Sequence, residues 1–427
     1  MELNVSIKNN RHLCGYIARA VGTSEFVTPQ MFGAKGDGVA DDSDALQAAI
    51  DSGMPVYLPA GTYNVETPLF ISGVAKLELA NGATIKAVGS NKAYLIGLRN
   101  DGGSYQLAEK EYIKGGVIDG NGLCDVVIGV NYSHGMIEHC IVKGIKHYGI
   151  YNVHNTANAN VGGGNMLVFD VRLLGDPTLS GTIGFGQGGG DCVLICTTAQ
   201  DVETGFQVGS DKLSDCHAWL SRNDIFDNSV AFEIIASGGQ LVNCVSDTIR
   251  YGIKSALNYA KFAVSNFSYY FNISVTSVSF LNNHQPIALN LTGDYPLAVF
   301  TNIEVNLATC SGKIASDKLV ASTTAKFVCL TLNGMDNAVS ANTPFDISTP
   351  YNVIRAAKLS GNVTLDQLDN IDQTCIVGGY SAITGLTGWA TVVTFNVDGS
   401  TLVQTISVAG GGSKTRRKAS GSWNSFT

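Results

Sequence analysis

Apolar residues recur along this chain in short groups, each closed by a polar residue and a turn. The clearest series is Met136-Ile137-Glu138-His139-Cys140, Leu167-Val168-Phe169-Asp170, Val193-Leu194-Ile195-Cys196, Leu213-Ser214-Asp215-Cys216 and Leu241-Val242-Asn243-Cys244. Each member is followed by a second segment: Gly149-Ile150-Tyr151, Gly184-Phe185, Gly205-Phe206-Gln207, Ala231-Phe232-Glu233 and Gly252-Ile253-Lys254. Self-similarity at a variable period of roughly 20–30 residues predicts a solenoid whose coils each hold two or three short strands. Coils of that kind stack ~4.8 Å apart, which would place Cys140, Cys196, Cys216 and Cys244 in one internal ladder of small packed side chains. Shorter coils continue to about residue 335, as in Val275-Thr276-Ser277-Val278-Ser279-Phe280-Leu281, and Pro344 and Pro350 break the pattern after that.

The region before the repeats reads differently. Residues 1–24 are polar and weakly patterned. Phe32-Gly33-Ala34-Lys35-Gly36-Asp37-Gly38 then leads to Asp41-Asp42-Ser43-Asp44 and the apolar set Ala45, Leu46, Ala48, Ala49 and Ile50. Acidic and hydroxyl residues at a helix start satisfy free backbone N–H groups and oppose the positive end of the dipole. The helix is expected to stop at Gly53, and Val56-Tyr57-Leu58-Pro59-Ala60-Gly61-Thr62-Tyr63 reads as strand, turn, strand. This order resembles the opening segment of the pectate-lyase-like β-helix superfamily, in which a short helix caps the first coil. Lyases, hydrolases, epimerases and phage tailspikes share that segment, so it speaks to fold rather than chemistry. Towards the C-terminus, Gly388-Trp389-Ala390-Thr391-Val392-Val393-Thr394-Phe395, Gln404-Thr405-Ile406, Lys414-Thr415-Arg416-Arg417 and Gly421-Ser422-Trp423 are similar to the small β-rich knob of phage tail fibres and pyocin fibres.

The expected fold is therefore all-β: a right-handed parallel β-helix with a short capping helix and a small β-rich C-terminal domain. Residues 1–24 are assigned to a linker or adaptor remnant, 25–54 to the cap, 55–335 to the β-helix, 336–364 to a connecting segment and 365–427 to the knob.

Composition narrows the function. Charged residues make up 15% of the chain, with 49 Gly and only 9 Pro, which favours a β-rich chain of tight turns. A net charge of −8 argues against a nucleic-acid partner, which needs clustered Lys and Arg. The ten cysteines show neither paired zinc spacings nor a dense disulfide pattern, so no metal or cofactor is expected. His134, His139, His147 and His154 lack the carboxylate support of a metal site and read as turn and surface residues. The N-terminus has no charged segment followed by an apolar one, so no signal peptide is expected. No apolar run approaches the ~18 residues that span a bilayer, so no membrane insertion is expected.

Glycosidic cleavage commonly needs two carboxyl groups, one to protonate the leaving oxygen and one to activate water or attack. Two coils carry extra residues, Asp176–Gly181 in one and Arg222-Asn223-Asp224-Ile225-Phe226-Asp227-Asn228 in the other, and loops on a rigid solenoid are where binding and catalytic groups concentrate. Two residues before the Gly205 anchor lies Glu203, and Arg250 and His147 occupy that place in other coils. On the neighbouring column Glu233 should stack beside Lys254 and near Gln207. The catalytic candidates are therefore Glu203, Asp224, Asp227 and Glu233. The substrate-binding candidates are Arg250, Lys254, Arg222, His147 and Trp219, the last as a ring for sugar stacking along with Tyr269, Tyr270 and Phe271. Against this, Asp224 and Asp227 serve equally as loop formers, and Glu233 with Lys254 as a surface ion pair. The run Gly184-Phe185-Gly186-Gln187-Gly188-Gly189-Gly190 imitates a phosphate loop, but tight solenoid corners are the better use of its glycines. Asp119-Gly120-Asn121-Gly122 reads as a turn between strands.

The resemblance to tailspikes implies a virion protein, made in the host cytoplasm, that forms a homotrimer and cuts a bacterial surface polysaccharide by hydrolysis. Residues 1–24 are a candidate attachment point for other phage tail proteins. Two alternatives stay open: a polysaccharide lyase acting by β-elimination, and a non-catalytic glycan-binding fibre.

Overall fold

The computed structural model describes residues 26–71, 76–99, 111–131, 135–152, 166–187, 192–221, 226, 228–235 and 239–255. Beyond these it describes strands between 263 and 363, then 375–381, 388–396, 401–409, 412–419 and 422–427. The chain divides at Val202 and Glu203 into two compact units. Both are built from the coils of a right-handed parallel β-helix, as the repeats predict.

In the first unit each complete coil has three strands, one for each of three sheets called A, B and C below. Sheet A holds Val56–Leu58, Lys76–Leu79, Tyr112–Lys114, Met136–Glu138, Leu167–Phe169 and Val193–Ile195, all paired in parallel. Sheet B holds Gly61–Val65, Ala83–Ala87, Val117–Asp119, Ile141–Lys143, Arg172–Leu174 and Thr198–Gln200. Sheet C holds Leu69–Ile71, Lys92–Arg99, Cys124–Asn131, Tyr148–Asn152 and Ile183–Gln187. The three-residue strands bury their middle side chain and show the two flanking ones. Ile113, Ile137, Val168 and Leu194 thus form one internal column and Ile118, Val142, Leu173 and Ala199 another. Alternation with period two is what a strand with one covered face requires.

Between the strands of sheets A and B the chain turns on one left-handed residue, and the next side chain points inwards. His139, Asp170 and Cys196 take this corner with φ of 54°, 50° and 51°. The residues after them, Cys140, Val171 and Thr197, are buried. The predicted cysteine ladder is corrected here. Cys196 is exposed at the corner, one position out of step with buried Cys140, and Thr197 fills the internal place. In the second unit Asp215 and Asn243 make the corner, and Cys216 and Cys244 are the buried successors, with Val245 N–H bonding to the Cys216 carbonyl.

The first coil is closed by the helix Ser43–Asp51, which buries Ser43, Leu46, Ala49 and Ile50. The Asp42 carboxylate, before the helix, accepts the N–H groups of Lys35 at 2.6 Å and Gly36 at 3.0 Å. The Ser43 hydroxyl accepts those of Glu66 and Thr67. This explains the Gly-Asp-Gly and Asp-Asp-Ser runs of the opening segment: they tie the cap to the first strands through backbone amides that would otherwise lack partners.

In the second unit sheet C contains Thr204–Val208, Val230–Ile234, Tyr251–Ser255, Ile287–Leu291, Val320–Ser322 and Phe345–Ile347. Phe206 and Phe232 are fully buried and stack face to face, 5.4 Å between centroids and 9° apart. Sheet B contains His217–Trp219 and Val245–Asp247 and reaches Ile354–Ala356 by parallel pairing. From Cys375–Ser381 onwards the pairing becomes antiparallel, through Gly388–Asn396, Leu402–Val408, Gly412–Ala419 and Ser422–Trp423. In this small sheet Arg416 lies 4.3 Å from the Trp423 centroid and 4.7 Å from that of Phe426, and its Nε donates to Gln404.

Candidate functional site

The second unit brings part of the predicted site together on the outer side of sheet C. Val230 N–H bonds to the Glu203 carbonyl and Tyr251 N–H to the Ser229 carbonyl. Glu203, Ser229 and Arg250 are therefore consecutive members of one column, as the spacing to the Gly205 anchor predicts. Further along the strands, Gln207 pairs with Glu233 and Glu233 with Lys254. The Gln207 amide donates to Glu233 Oε2 at 3.1 Å. The Tyr251 ring draws two cations together: the Arg250 guanidinium lies 5.3 Å from its centroid and Lys254 Nζ 4.9 Å. Cations held over an aromatic face are oriented as well as stabilised. Ser229 is buried, and the side chains of Glu203, Gln207, Glu233, Arg250, Tyr251 and Lys254 are half-buried, so each of these six is both positioned and open to solvent.

Spacing limits what the two glutamates do alone. Glu203 and Glu233 are one coil apart and four residues out of step along the strand, a backbone separation of roughly 14 Å. Retaining glycosidases hold their carboxyl groups ~5 Å apart and inverting ones ~6.5–9.5 Å. The two glutamates alone are therefore too far apart for either geometry. Asp224, Asp227 and Arg222, the candidates on the 222–228 loop, lie outside the described residues.

Other candidates are placed elsewhere. Trp219 belongs to sheet B, pairs with Asp247 and stacks on His217 at 6.3 Å and 24°. Burial pushes the His217 pKa down, with Asp247 opposing. His147 lies in the first unit, exposed, its Nδ1 3.6 Å from Asp125. Asp119 is the turn residue its context predicts, with Oδ1 accepting the Asn121 N–H at 2.8 Å. The glycine-rich run contains the strand Ile183–Gln187 with Phe185 fully buried, which is not a phosphate loop. Tyr269 and Tyr270 fall on a strand whose side chains are not described, and Phe271, His134 and His154 lie outside the described residues.

One cluster escapes the sequence reading. On the outer side of sheet A in the first unit, Glu138 accepts a hydrogen bond from the Tyr112 hydroxyl and lies 3.3 Å from Lys114 Nζ. His139 Nδ1 is 3.7 Å from Glu138, and its Nε2 is 3.7 Å from Asp170. The Tyr112 hydrogen bond, helped by Lys114, holds the Glu138 carboxyl below its ordinary pKa. Burial and the bond to Glu138 raise that of Tyr112. At neutral pH the cluster thus holds a carboxylate, a protonated phenol and an ammonium, with the His139 ring beside them. The available signal was register: Lys114 pairs with Glu138. The repeat pattern passes over Tyr112-Ile113-Lys114 because Gly115-Gly116 follow it, where later coils have a polar corner and a buried residue. Among the described residues no group of three His, Cys, Asp or Glu side chains is arranged to hold a metal ion.

Residues 27–212 match the family model described as rhamnogalacturonase A/epimerase, pectate lyase-like. This stretch is thus similar to the pectate-lyase-like β-helix proteins. The N-terminal fragment of bacteriophage phi29 gene product 12 has a similar structure, with a TM-score of 0.56 and 16% identity over 86% of this chain and 69% of that one. Short stretches are closer in sequence. The preneck appendage protein of Bacillus phage PZA is 56% identical over 39 residues, 9% of this chain and 5% of that protein. Alginate lyase 7 of Azotobacter vinelandii is 62% identical over 39 residues, 8% of this chain and 5% of that protein. The chain thus spans only a small part of these relatives' length.

Proposed function

We propose that the chain is part of a phage tail appendage that recognises and depolymerises a bacterial surface polysaccharide, acting as an endo-glycoside hydrolase. The supporting observation is the outer side of sheet C in the second unit, where Glu203, Glu233, Arg250 and Lys254 stand on successive coils. Glu203 or Glu233 pairs with Asp224 or Asp227 as acid and base, while Arg250, Lys254 and Arg222 hold the sugar chain. The matches to phage appendage proteins support a place in the virion, with residues 1–24 as the attachment point. The solenoid of residues 55–335 provides the surface, 336–364 the connection, and the knob of residues 365–427 joins three chains.

The test is a set of single amide variants, Glu203→Gln, Asp224→Asn, Asp227→Asn and Glu233→Gln, assayed on host capsule, exopolysaccharide and O-antigen. Loss of a catalytic acid or base lowers the rate by on the order of 10²–10⁴-fold. New reducing ends without an unsaturated-uronate absorbance are expected. Full activity in all four variants sinks this site, and a wild type that binds without cutting makes the protein a glycan-binding fibre.

A second reading is favoured by the cluster in the first unit. Elimination from a uronate needs a cation against the carboxylate, a base and a proton donor. Lys114, His139 and Tyr112 supply one each. Unsaturated product that disappears in His139→Ala and Tyr112→Phe would move the chemistry there.

A further inference from the structure

The outer side of sheet C in the first unit carries a strip of aromatic side chains on a bed of glycines. Phe70, Gly97, Gly129, Tyr151 and Gly186 share one column by register, and Tyr94, Val126, Tyr148 and Ile183 share the next. Each glycine makes room for rings. A Cβ on Gly97 would meet the Phe70 ring at 3.1 Å, and one on Gly129 the Tyr94 ring at 3.3 Å. On Gly186 it would meet Tyr148 at 2.3 Å and Tyr151 at 2.8 Å. None of these three glycines has a positive φ, so backbone conformation does not require them. They serve the close approach of the rings.

The rings form two contacting pairs, separated by the coil that carries Val126 and Gly129. Phe70 and Tyr94 meet edge to face at 6.5 Å, and Tyr148 and Tyr151 lie 4.3 Å apart, centroid to centroid. Val126, between Tyr94 and Tyr148 in the column, is only 7% exposed, whereas Phe70 and Tyr94 remain 39% and 36% exposed. From Phe70 to Tyr148 is three coils, roughly 14 Å. Along one edge stand polar groups that cancel in charge: Lys146 Nζ bonds to Asp125 at 2.9 Å, with His147 beside them.

We propose that this strip is a binding subsite for uncharged pyranose units of a glycan, separate from the carboxylate site of the second unit. Sugar rings present C–H faces that stack on aromatic surfaces, while their hydroxyls need donors and acceptors at the side. The strip supplies the first and Asp125, Lys146 and His147 the second; the Lys146 charge is matched by Asp125, so it offers no free cation to select an anionic sugar. Size argues for a saccharide over a second protein chain. The exposed area of four such rings is on the order of 300 Å², well short of the about 800 Å² per partner in a stable protein interface. The length suits a few sugar units. The subsite extends the glycan reading above but does not depend on catalysis.

The experiment labels the full chain with 3-fluorotyrosine and assigns the resonances of Tyr94, Tyr148 and Tyr151 by single Phe substitutions. It then titrates soluble neutral oligosaccharides of gluco, galacto and manno configuration. Saturable shifts at these tyrosines with at least one sugar are expected. Tyr94→Ala should weaken binding of that sugar at least about tenfold. Gly186→Ala, which keeps every ring but displaces Tyr148 and Tyr151, should do so as well. Both variants should leave the cleavage of short substrates by the second unit unchanged. Absence of shifts with every sugar overturns the subsite, even if the protein degrades its host polysaccharide. Tyr94→Ala or Gly186→Ala binding as wild type overturns it too. A smaller assembly for Tyr94→Ala in sedimentation would instead make the strip a contact between copies, which also refutes the proposal.

Discussion

Single positions in this solenoid differ in chemistry according to their place in the coil. Cys140 is buried behind the corner and its pKa is pushed up to about 12 by burial. Cys124 is likewise raised to about 11. Cys196, on the corner itself, is exposed. A thiolate is the reactive form, so brief alkylation at neutral pH, mapped by peptide mass, should modify Cys196 far ahead of Cys140 and Cys124. The same corner makes a stability prediction. Cys196 has a φ of 51°, a conformation that Asn adopts readily and most other side chains resist. Cys196→Asn should raise stability by up to ~1 kcal/mol in denaturant unfolding. A loss would mean that the thiol contributes something that the turn does not demand.

Glu138 gives a pH dependence with a definite sign. Its folded pKa is below the ordinary 4.5, chiefly through the Tyr112 hydroxyl. Its contribution to stability is therefore full above pH 4.5 and disappears as pH falls through the lower folded value. Glu138→Gln should be less stable than wild type at neutral pH. That difference should shrink on acidification below pH 4.5, as read from melting temperatures across pH.

Elements here depend on contacts between coils more than on their own propensity. Strands of three residues have little independent stability, and each is held by the strand above, the strand below and one buried side chain. In the second unit the stacked pair Phe206 and Phe232 forms the core under sheet C. Phe232→Ala should destabilise by ~3–5 kcal/mol, and should disturb Glu233 beside it, since both sit on Val230–Ile234. The capping helix rests on fewer groups. Asp42 is 2% exposed and accepts two backbone N–H groups. Asp42→Ala leaves those part-buried amides without their acceptor, at a total cost of about 1–3 kcal/mol. Hydrogen exchange should show faster opening at Lys35 and Gly36 before any other segment.

At the scale of the molecule, the surface of a solenoid is a set of columns, and function follows from which columns carry chemistry. The proposed hydrolytic site, the cluster around Glu138 and the aromatic strip lie on different faces or units, so their variants should separate in assay. The proposed threefold assembly is checked by light scattering, which should give three times the chain mass. Deleting residues 365–427 should reduce it to that of a single chain. A monomeric full-length protein would refute the knob's proposed role.

Much of this was legible in the order of residues. A coil must bury one side chain per short strand, and that demand writes a repeat such as Ile137, Val168 and Leu194 that can be read without coordinates. The opening segment was legible for a similar reason, because its Asp and Gly residues answer local backbone needs. The columns Glu203 to Arg250 and Gln207 to Lys254 followed from counting back to anchors within coils. What the tertiary structure decided were matters of register and reach. Cys196 and Cys140 look equivalent in sequence, yet a one-residue offset turns one outwards, because a strand alternates faces at every step. The Glu138 cluster and the aromatic strip join residues of coils whose lengths differ. Insertions between strands leave the stacking intact while changing every interval in the sequence, so only the folded coil reveals which side chains are neighbours.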